Sequence, residues 1–154
     1  MRVNAKSEYA MRAMLDLAAR PQEQTTLDEI AGRQRIPATI LPGIFQALAK
    51  AGLVATVRGY GGGVRLARRP EEITVRMILD ALEGALRLYS CDSPNGPCPL
   101  GLGRHCPLRA LWEKTQDGIL QLWTNTSLAD LAKTHRAPAR RRARRPRALS
   151  LRAS

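Results

Sequence analysis

The chain has 154 residues and a net charge of +12, with 44% hydrophobic and only 4% aromatic residues. This length suits one domain with an extension, and its core must be mainly aliphatic. No apolar run approaches the roughly 18–20 residues of a membrane span, and the first residues lack the apolar segment of a secretory signal. We therefore predict a soluble, cytoplasmic protein whose thiols stay reduced, with no membrane partner.

Two amphipathic segments open the chain. Ser7 precedes EYAMRAMLDLAA, whose apolar residues recur at helical spacing until Pro21 ends the pattern. Thr26 and Glu29 then have the spacing of a capping box, in which each side chain bonds to the other residue's backbone N–H. A second, short helix is predicted to begin there.

A third helix follows after a turn predicted over Gly32–Ile36. It covers about Thr39–Ala51 and should point Ile40 and Ile44 inward. Pro42 is tolerable only in the first turn of this helix, where its missing N–H would have no partner in any case. A short helix, a tight turn and a longer helix together predict a helix-turn-helix.

A β-hairpin should follow the third helix. Leu53–Val57 and Val64–Leu66 have strand character on either side of RGYGGG, so this Gly-rich stretch is the predicted tip. It is not a phosphate-binding P-loop, because the GK[ST] element is missing. Arg58 and Arg65 flank the tip, and Tyr60 can reach into a groove or pack on sugar. Three helices followed by such a wing predict a winged-helix DNA-binding domain.

The residues expected to contact DNA lie in the turn, at the start of the third helix and in the wing. They are Arg33, Arg35, Ala38, Thr39, Gly43, Gln46, Arg58, Tyr60 and Arg65. Gln46 can pair with adenine, and Thr39 can touch a thymine methyl group or a phosphate. Because this base chemistry is modest, much of the specificity should come from the wing or from DNA shape.

All three cysteines lie in one Gly/Pro-rich segment, at Cys91, Cys98 and Cys106. Thiolates are preferred ligands of iron–sulfur clusters and of zinc. The C-x6-C-x7-C spacing lacks the paired C-x2-C of most structural zinc sites. From the residues alone, a cluster, a zinc site and three ordinary thiols all stay open.

The remaining segments suggest an arm and a tail. A linking helix is predicted over Thr74–Glu83. After Pro107, apolar side chains form one helical stripe: Leu108, Leu111, Trp112, Thr115, Ile119 and Leu122. We interpret the stripe as a dimer interface, because a long helix outside a small core has little else to pack against. A short helix through Leu131, capped by Thr126 and Ser127 with Asp130, should close the fold.

The predicted fold is mainly α: a winged helix-turn-helix with a small β-hairpin wing and a long dimerisation helix. Its divisions are a DNA-binding domain (1–84), a cysteine segment (85–106), a dimerisation region (107–135) and a tail (136–154). The tail carries eight arginines and no acidic residue, so we predict disorder there, with nonspecific nucleic-acid binding as one use.

Three further stretches, YAMRAMLDLA, AGLVATVRGYGGGVRLAR and LWTNTSLADLA, extend this pattern. Together with the cysteines, they make residues 1–135 resemble the Rrf2 family of bacterial winged-helix regulators. Some members govern iron–sulfur cluster biogenesis or respond to nitric oxide. The resemblance implies a homodimer, most often a repressor, that binds a roughly palindromic operator in double-stranded DNA.

The resemblance also implies an iron–sulfur cluster, [2Fe–2S] or [4Fe–4S], on Cys91, Cys98 and Cys106, whose state sets operator affinity. In some relatives a His three residues after the third Cys completes the site, but Arg109 stands there in this chain. In others an acidic residue of the opposite subunit does so, and Glu8 lies at that position. His105 is another candidate ligand.

Two rival functions remain at this stage. One is a cluster-free repressor of the same family, whose cysteines are vestigial or sense thiol oxidation. The other is an enzyme, which is excluded because no nucleophile–base set, paired carboxylates or nucleotide-binding loop is suitably placed. The two histidines, His105 and His135, do not form part of such a set.

Overall fold

The computed structural model describes residues 4–21, 23–57, 59, 62–89 and 106–134. Within them, the fold consists of six α-helices and a two-stranded antiparallel hairpin, and a 3-10 turn covers Pro70–Glu72. The helices are α1 Ala5–Ala18, α2 Leu27–Gln34, α3 Leu41–Lys50, α4 Val75–Glu83, α5 Pro107–Asn125 and α6 Leu128–Thr134. The strands are β1 Val54–Val57 and β2 Gly63–Leu66. The mainly helical fold with a hairpin wing is thus confirmed.

The first helix begins earlier than the sequence analysis predicted. Asn4 is its N-cap, because its side-chain oxygen accepts a hydrogen bond of 2.9 Å from the backbone N–H of Ser7. Ser7 therefore lies inside α1, where it is fully buried, and does not precede the helix. The predicted capping box of α2 is present, with Thr26 and Glu29 bonding each other's backbone at 2.9 and 3.3 Å.

The turn between α2 and α3 lies later in the chain than predicted, over residues 35–40 instead of Gly32–Ile36. Gly32 remains in α2, and the helix ends at Arg35, which takes the left-handed conformation with φ 52° and ψ 48°. Pro42 lies in the first turn of α3, as expected. The prediction that Ile40 points inward is wrong: it is the N-cap of α3, ahead of the first helical residue, and is 36% exposed.

One apolar core joins five of the helices to the wing. Met14, Leu17, Ile30, Ile44 and Leu48 are at most 1% exposed in its centre. The last helix also enters this core. Leu128 of α6 is fully buried, and its backbone N–H donates to the carbonyl of Ile73 at 2.7 Å. The sequence analysis grouped α6 with the dimerisation arm, but α6 packs against α1.

The wing is attached to the segment before α2 as well as to itself. β1 and β2 pair from Val54 opposite Leu66 to Val57 opposite Gly63. Thr25 adds a bridge, because it and Val64 exchange backbone hydrogen bonds of 3.1 and 2.7 Å. A Cβ at position 63 would lie 2.6 Å from the carbonyl oxygen of Thr25, so this close approach requires glycine.

Candidate nucleic-acid interface and metal site

The outer face of α3 is the exposed side of the helix-turn-helix. Leu41, Ile44 and Leu48 point into the core, whereas Gly43 and Gln46 lie at the surface. The turn before the helix adds further exposed residues, namely Pro37, Ala38, Thr39 and Ile40. The predicted contacts of α3 and its turn are thus all exposed. A helix presented in this way suits the major groove of DNA.

This face carries few long polar side chains. A Cβ added at Gly43 would meet nothing within 4 Å, so the backbone of α3 is open to close approach there. Sequence reasoning missed two exposed residues on this side, Ile40 and Lys50. The signal for Lys50 was its spacing of four residues from Gln46. Ile40 had no such signal, because its exposure depends on where the helix begins.

The wing carries an exposed positive charge. Arg65 is exposed on β2, opposite Ala55 of β1. Arg58 and Tyr60, the other predicted wing contacts, lie outside the described residues. Arg68 donates from Nε to the carbonyl oxygen of Gly52 at 3.2 Å, which links the end of the wing to the residues that follow α3.

The two arginines predicted at the end of α2 have different surroundings. Arg35 is exposed at the turn. Arg33 instead points toward α1, where its Nε lies 3.1 and 3.0 Å from the carboxylate oxygens of Asp16. Its Nη2 lies 2.6 Å from Oδ2 of Asp16 and 2.8 Å from Oγ1 of Thr25. The structure therefore places Arg33 in an ion pair with α1 and in contact with Thr25.

Asp16 is the buried centre of that ion pair, with only 4% of its side chain exposed. Gln34 and Arg20 also donate to its Oδ1, at 3.1 and 3.2 Å. Burial raises the pKa of Asp16, but the hydrogen bonds from Arg33 and Gln34 and the charges of Arg33 and Arg20 outweigh burial. The pKa of Asp16 consequently lies below its ordinary value.

The third predicted cysteine ligand lies at the start of the long helix. Cys106 is the N-cap of α5 and is partly exposed. Cys91, Cys98 and His105 lie outside the described residues. Among the residues that the structure describes, no three His, Cys, Asp or Glu side chains form a group able to hold a metal ion.

The chain just before Cys91 is held against α5. The backbone N–H of Leu88 donates to Oε1 of Gln116 at 3.1 Å, and the hydroxyl of Tyr89 donates to Glu113 at 3.4 Å. Glu113 is seven residues from the N-cap of α5, which corresponds to about 10 Å along the axis. Both ends of the cysteine segment are therefore attached to the first half of the same helix.

Arg109 occupies the position, three residues after Cys106, for which the resemblance implied a ligating His in some relatives. Its Nε donates to Oε1 of Glu113 at 2.7 Å, the same oxygen that accepts from Tyr89. The hydrogen bond from Arg109 is the main reason why the pKa of Glu113 lies below its ordinary value. A guanidinium is not a metal ligand. Arg109 instead forms an ion pair with Glu113, the residue that also binds Tyr89 at the start of the cysteine segment.

The first turn of α1 lies beside the end of α4. The hydroxyl of Ser7 donates a hydrogen bond to the carboxylate of Glu83, the last residue of α4. The next residue along α1, Glu8, is exposed. The side chain predicted as a fourth ligand is therefore exposed, on a helix that contacts the last residue of α4, two residues before the start of the cysteine segment.

A helix-turn-helix with an exposed third helix and an arginine-bearing hairpin defines a winged-helix DNA-binding protein. The family model described as "Iron-dependent Transcriptional regulator" (Rrf2) matches residues 3–134. The chain belongs to the Rrf2 family. The family model and the relatives described below are transcriptional regulators, which confirms the prediction that the chain is not an enzyme.

Individual relatives agree with this membership. The chain is 38% identical to HTH-type transcriptional regulator IscR of Aliivibrio salmonicida, over 85% of this chain and 77% of the relative. The solved structure of T. potens IscR has 32% identity and a TM-score of 0.69, covering 87% of this chain and 88% of that one. CymR of B. subtilis, titled the global cysteine regulator, has 27% identity and a TM-score of 0.72, covering 88% and 99%. No helix among the described residues combines the length and apolarity of a membrane span.

Proposed function

We propose that the chain is a homodimeric transcriptional repressor that acts in the cytoplasm and binds a roughly palindromic operator. The observation that carries the proposal is the exposed face of α3 together with the exposed arginine of the wing. In a twofold dimer, two such faces enter successive major grooves about 34 Å apart. The exposed residues Arg35, Ala38, Thr39, Gly43 and Gln46 face the groove or its phosphates in this proposal.

The wing contributes the remaining contacts. Arg65 binds phosphate or enters the minor groove, together with Arg58 and Tyr60 at the tip. Because Gly43 offers no side chain and Gln46 is the main hydrogen-bonding group of the α3 face, direct base readout is limited. Recognition therefore depends largely on the wing and on sequence-dependent DNA shape.

The long helix α5 supplies the dimer interface. None of its residues is buried, and Leu108, Leu111 and Leu122 are 56, 55 and 65% exposed. Apolar side chains that recur on one face of a helix are stable when a second apolar surface covers them. In this proposal the covering surface is α5 of a second copy of the chain.

The cysteine segment holds an iron–sulfur cluster in this proposal, with Cys91, Cys98 and Cys106 as ligands. The arrangement of the described residues fits this group, because Cys106 is partly exposed and the hydrogen bonds of Leu88 and Tyr89 hold the other end of the segment against the same helix. The family model's description as iron-dependent supports the same reading. When bound, the cluster supplies a group that responds to oxidants and nitric oxide.

The partner's Glu8 is the proposed fourth ligand. Its exposure on the first turn of α1 leaves the carboxylate accessible to another subunit. A carboxylate is a hard, weak ligand for iron, which suits a position that a small molecule displaces. Through the contact of Ser7 with Glu83, α1 and α4 then transmit the state of the cluster to the helix-turn-helix.

The deciding experiment is purification without oxygen, followed by visible absorption and by iron and sulfide analysis. We expect a coloured protein with about two or four irons and an equal amount of sulfide per site. The Cys106→Ser variant should lose the colour, the iron and the sulfide. Operator affinity of the loaded and stripped forms is then compared. A colourless chain that resists reconstitution would instead support a cluster-free repressor whose thiols sense oxidation.

The role of Glu8 is tested separately with Glu8→Gln. We expect this variant to keep iron on its three cysteines but to show an altered visible spectrum and a weaker change in operator affinity on cluster loss. Glu23→Gln, which removes an exposed carboxylate near the other end of α1, is the matched control. An unchanged spectrum and response in Glu8→Gln would exclude Glu8 as a ligand.

A further inference from the structure

Arg33 connects three parts of the DNA-binding domain. Its bidentate contact with Asp16 fixes the last turn of α2 on α1, and Gln34 strengthens this attachment from the neighbouring position. A guanidinium fork matched to a carboxylate sets orientation as well as distance. The turn that leads into α3 begins at the next residue, Arg35.

The same guanidinium also reaches toward the wing. Its Nη2 donates to the hydroxyl of Thr25 at 2.8 Å, and that hydroxyl donates in turn to Glu29 at 2.7 Å. The backbone of Thr25 exchanges two hydrogen bonds with Val64 of β2. The following residue is Arg65, so a continuous series of contacts runs from α1 through Arg33 to the wing.

We infer that Arg33 is a positioning residue, which holds the helix-turn-helix and the wing in a fixed relative orientation for DNA and does not itself bind phosphate. The inference rests on the DNA-binding function proposed above. Arg33 has the charge and sequence position of a DNA contact, but two of its three nitrogens are occupied by Asp16 and Thr25. Its effect on affinity therefore comes from geometry.

Salt dependence separates these two roles. Each arginine that neutralises a phosphate adds about one to the slope of log affinity against log salt. We would measure that slope for the whole chain, with and without substitutions, on a duplex that the wild-type chain selects from a random-sequence pool. Arg65→Gln, at an exposed wing arginine, is the matched control and should lower the slope by about one.

For Arg33→Gln we expect roughly tenfold weaker binding at the wild-type slope. Arg33→Lys should not restore affinity, because an ammonium keeps the charge but loses the fork geometry. A slope lowered by about one in Arg33→Gln, or wild-type affinity in either variant, would overturn the inference. Selection of no duplex at all would contradict the DNA-binding function itself, and the inference with it.

Thr25→Val provides a second variant that keeps the ion pair and the side-chain shape but removes the hydroxyl link toward the wing. Circular dichroism and thermal unfolding verify that it folds. We expect severalfold weaker binding at an unchanged slope. Wild-type affinity in Thr25→Val would contradict the role of Arg33 in holding the wing.

Discussion

The winged-helix core and the long helix α5 differ in how far their side chains are buried within one chain. Among the described residues, every buried side-chain nitrogen and oxygen has a hydrogen-bond partner, as the network around Asp16 illustrates. In contrast, α5 has 19 residues, none of them buried, and an exposed stripe that includes Leu111, Trp112 and Leu122. The core is thus complete within one chain, whereas α5 needs another surface to bury its apolar face.

The largest effect should follow from changing that stripe. Leu111→Asp places a charge in the apolar stripe that forms the proposed interface, so we expect the dimer dissociation constant to rise at least about 100-fold. Sedimentation equilibrium measures this, with Gln121→Asp, an exposed polar position of the same helix, as the control. An unchanged dimer in Leu111→Asp would show that α5 is not the interface.

A substitution in the core should change the free energy of unfolding, and the size of that change should depend on pH. Asp16→Asn removes one partner of a buried ion pair, and we expect the free energy of unfolding to fall by about 3 kcal/mol in urea titrations at neutral pH. Because the pKa of Asp16 is lowered in the folded state, its stabilising contribution is present above about pH 4 and is lost as the pH falls through the folded pKa.

The difference in stability between wild type and Asp16→Asn should therefore shrink in acid. Asp28→Asn, at an exposed carboxylate of α2, serves as the control and should cost far less. A difference that stayed constant down to pH 2 would contradict the ion pair as its source. This test concerns the core alone and should leave dimer dissociation unchanged.

Local patterns in the sequence predicted most of the elements. The capping box of Thr26 and Glu29, the position of Pro42 and the Gly-rich wing all depend on contacts between residues close in the chain, and each is present. Helix ends were less accurate, because Asn4 competes with Ser7 as the cap of α1. Such competition is decided by packing, which buries Ser7.

Contacts between distant residues were not predictable in the same way. The environment of Arg33 depends on Asp16, which lies 17 residues earlier, and no periodicity indicates that pairing. The burial of Leu128 depends on Ile73 of a different segment. The family resemblance, and not the cysteine spacing alone, supplied the expected ligand set, and the attachment of Tyr89 to Glu113 became visible only in the fold.

The smallest effects are expected when one glycine in each region is replaced by alanine. Gly32 in α2 and Gly118 in α5 both have open space around an added Cβ. Alanine favours a helix over glycine by about 0.5–1 kcal/mol, so Gly32→Ala should raise the free energy of unfolding by that amount at any protein concentration. Its dimer dissociation constant should not change.

Gly118 lies seven residues after Leu111 and four before Leu122, on the face assigned to the dimer. An added methyl group there separates the two helices, so the gain in helix propensity should be offset by weaker association. We therefore expect Gly118→Ala to be less stable than Gly32→Ala at high protein concentration, where dimer formation contributes most to stability, and the gap to narrow on dilution. Unfolding at two concentrations measures the difference. Equal gains at both would mean that this face of α5 does not pack closely on a second copy, even if the helix takes part in the dimer elsewhere.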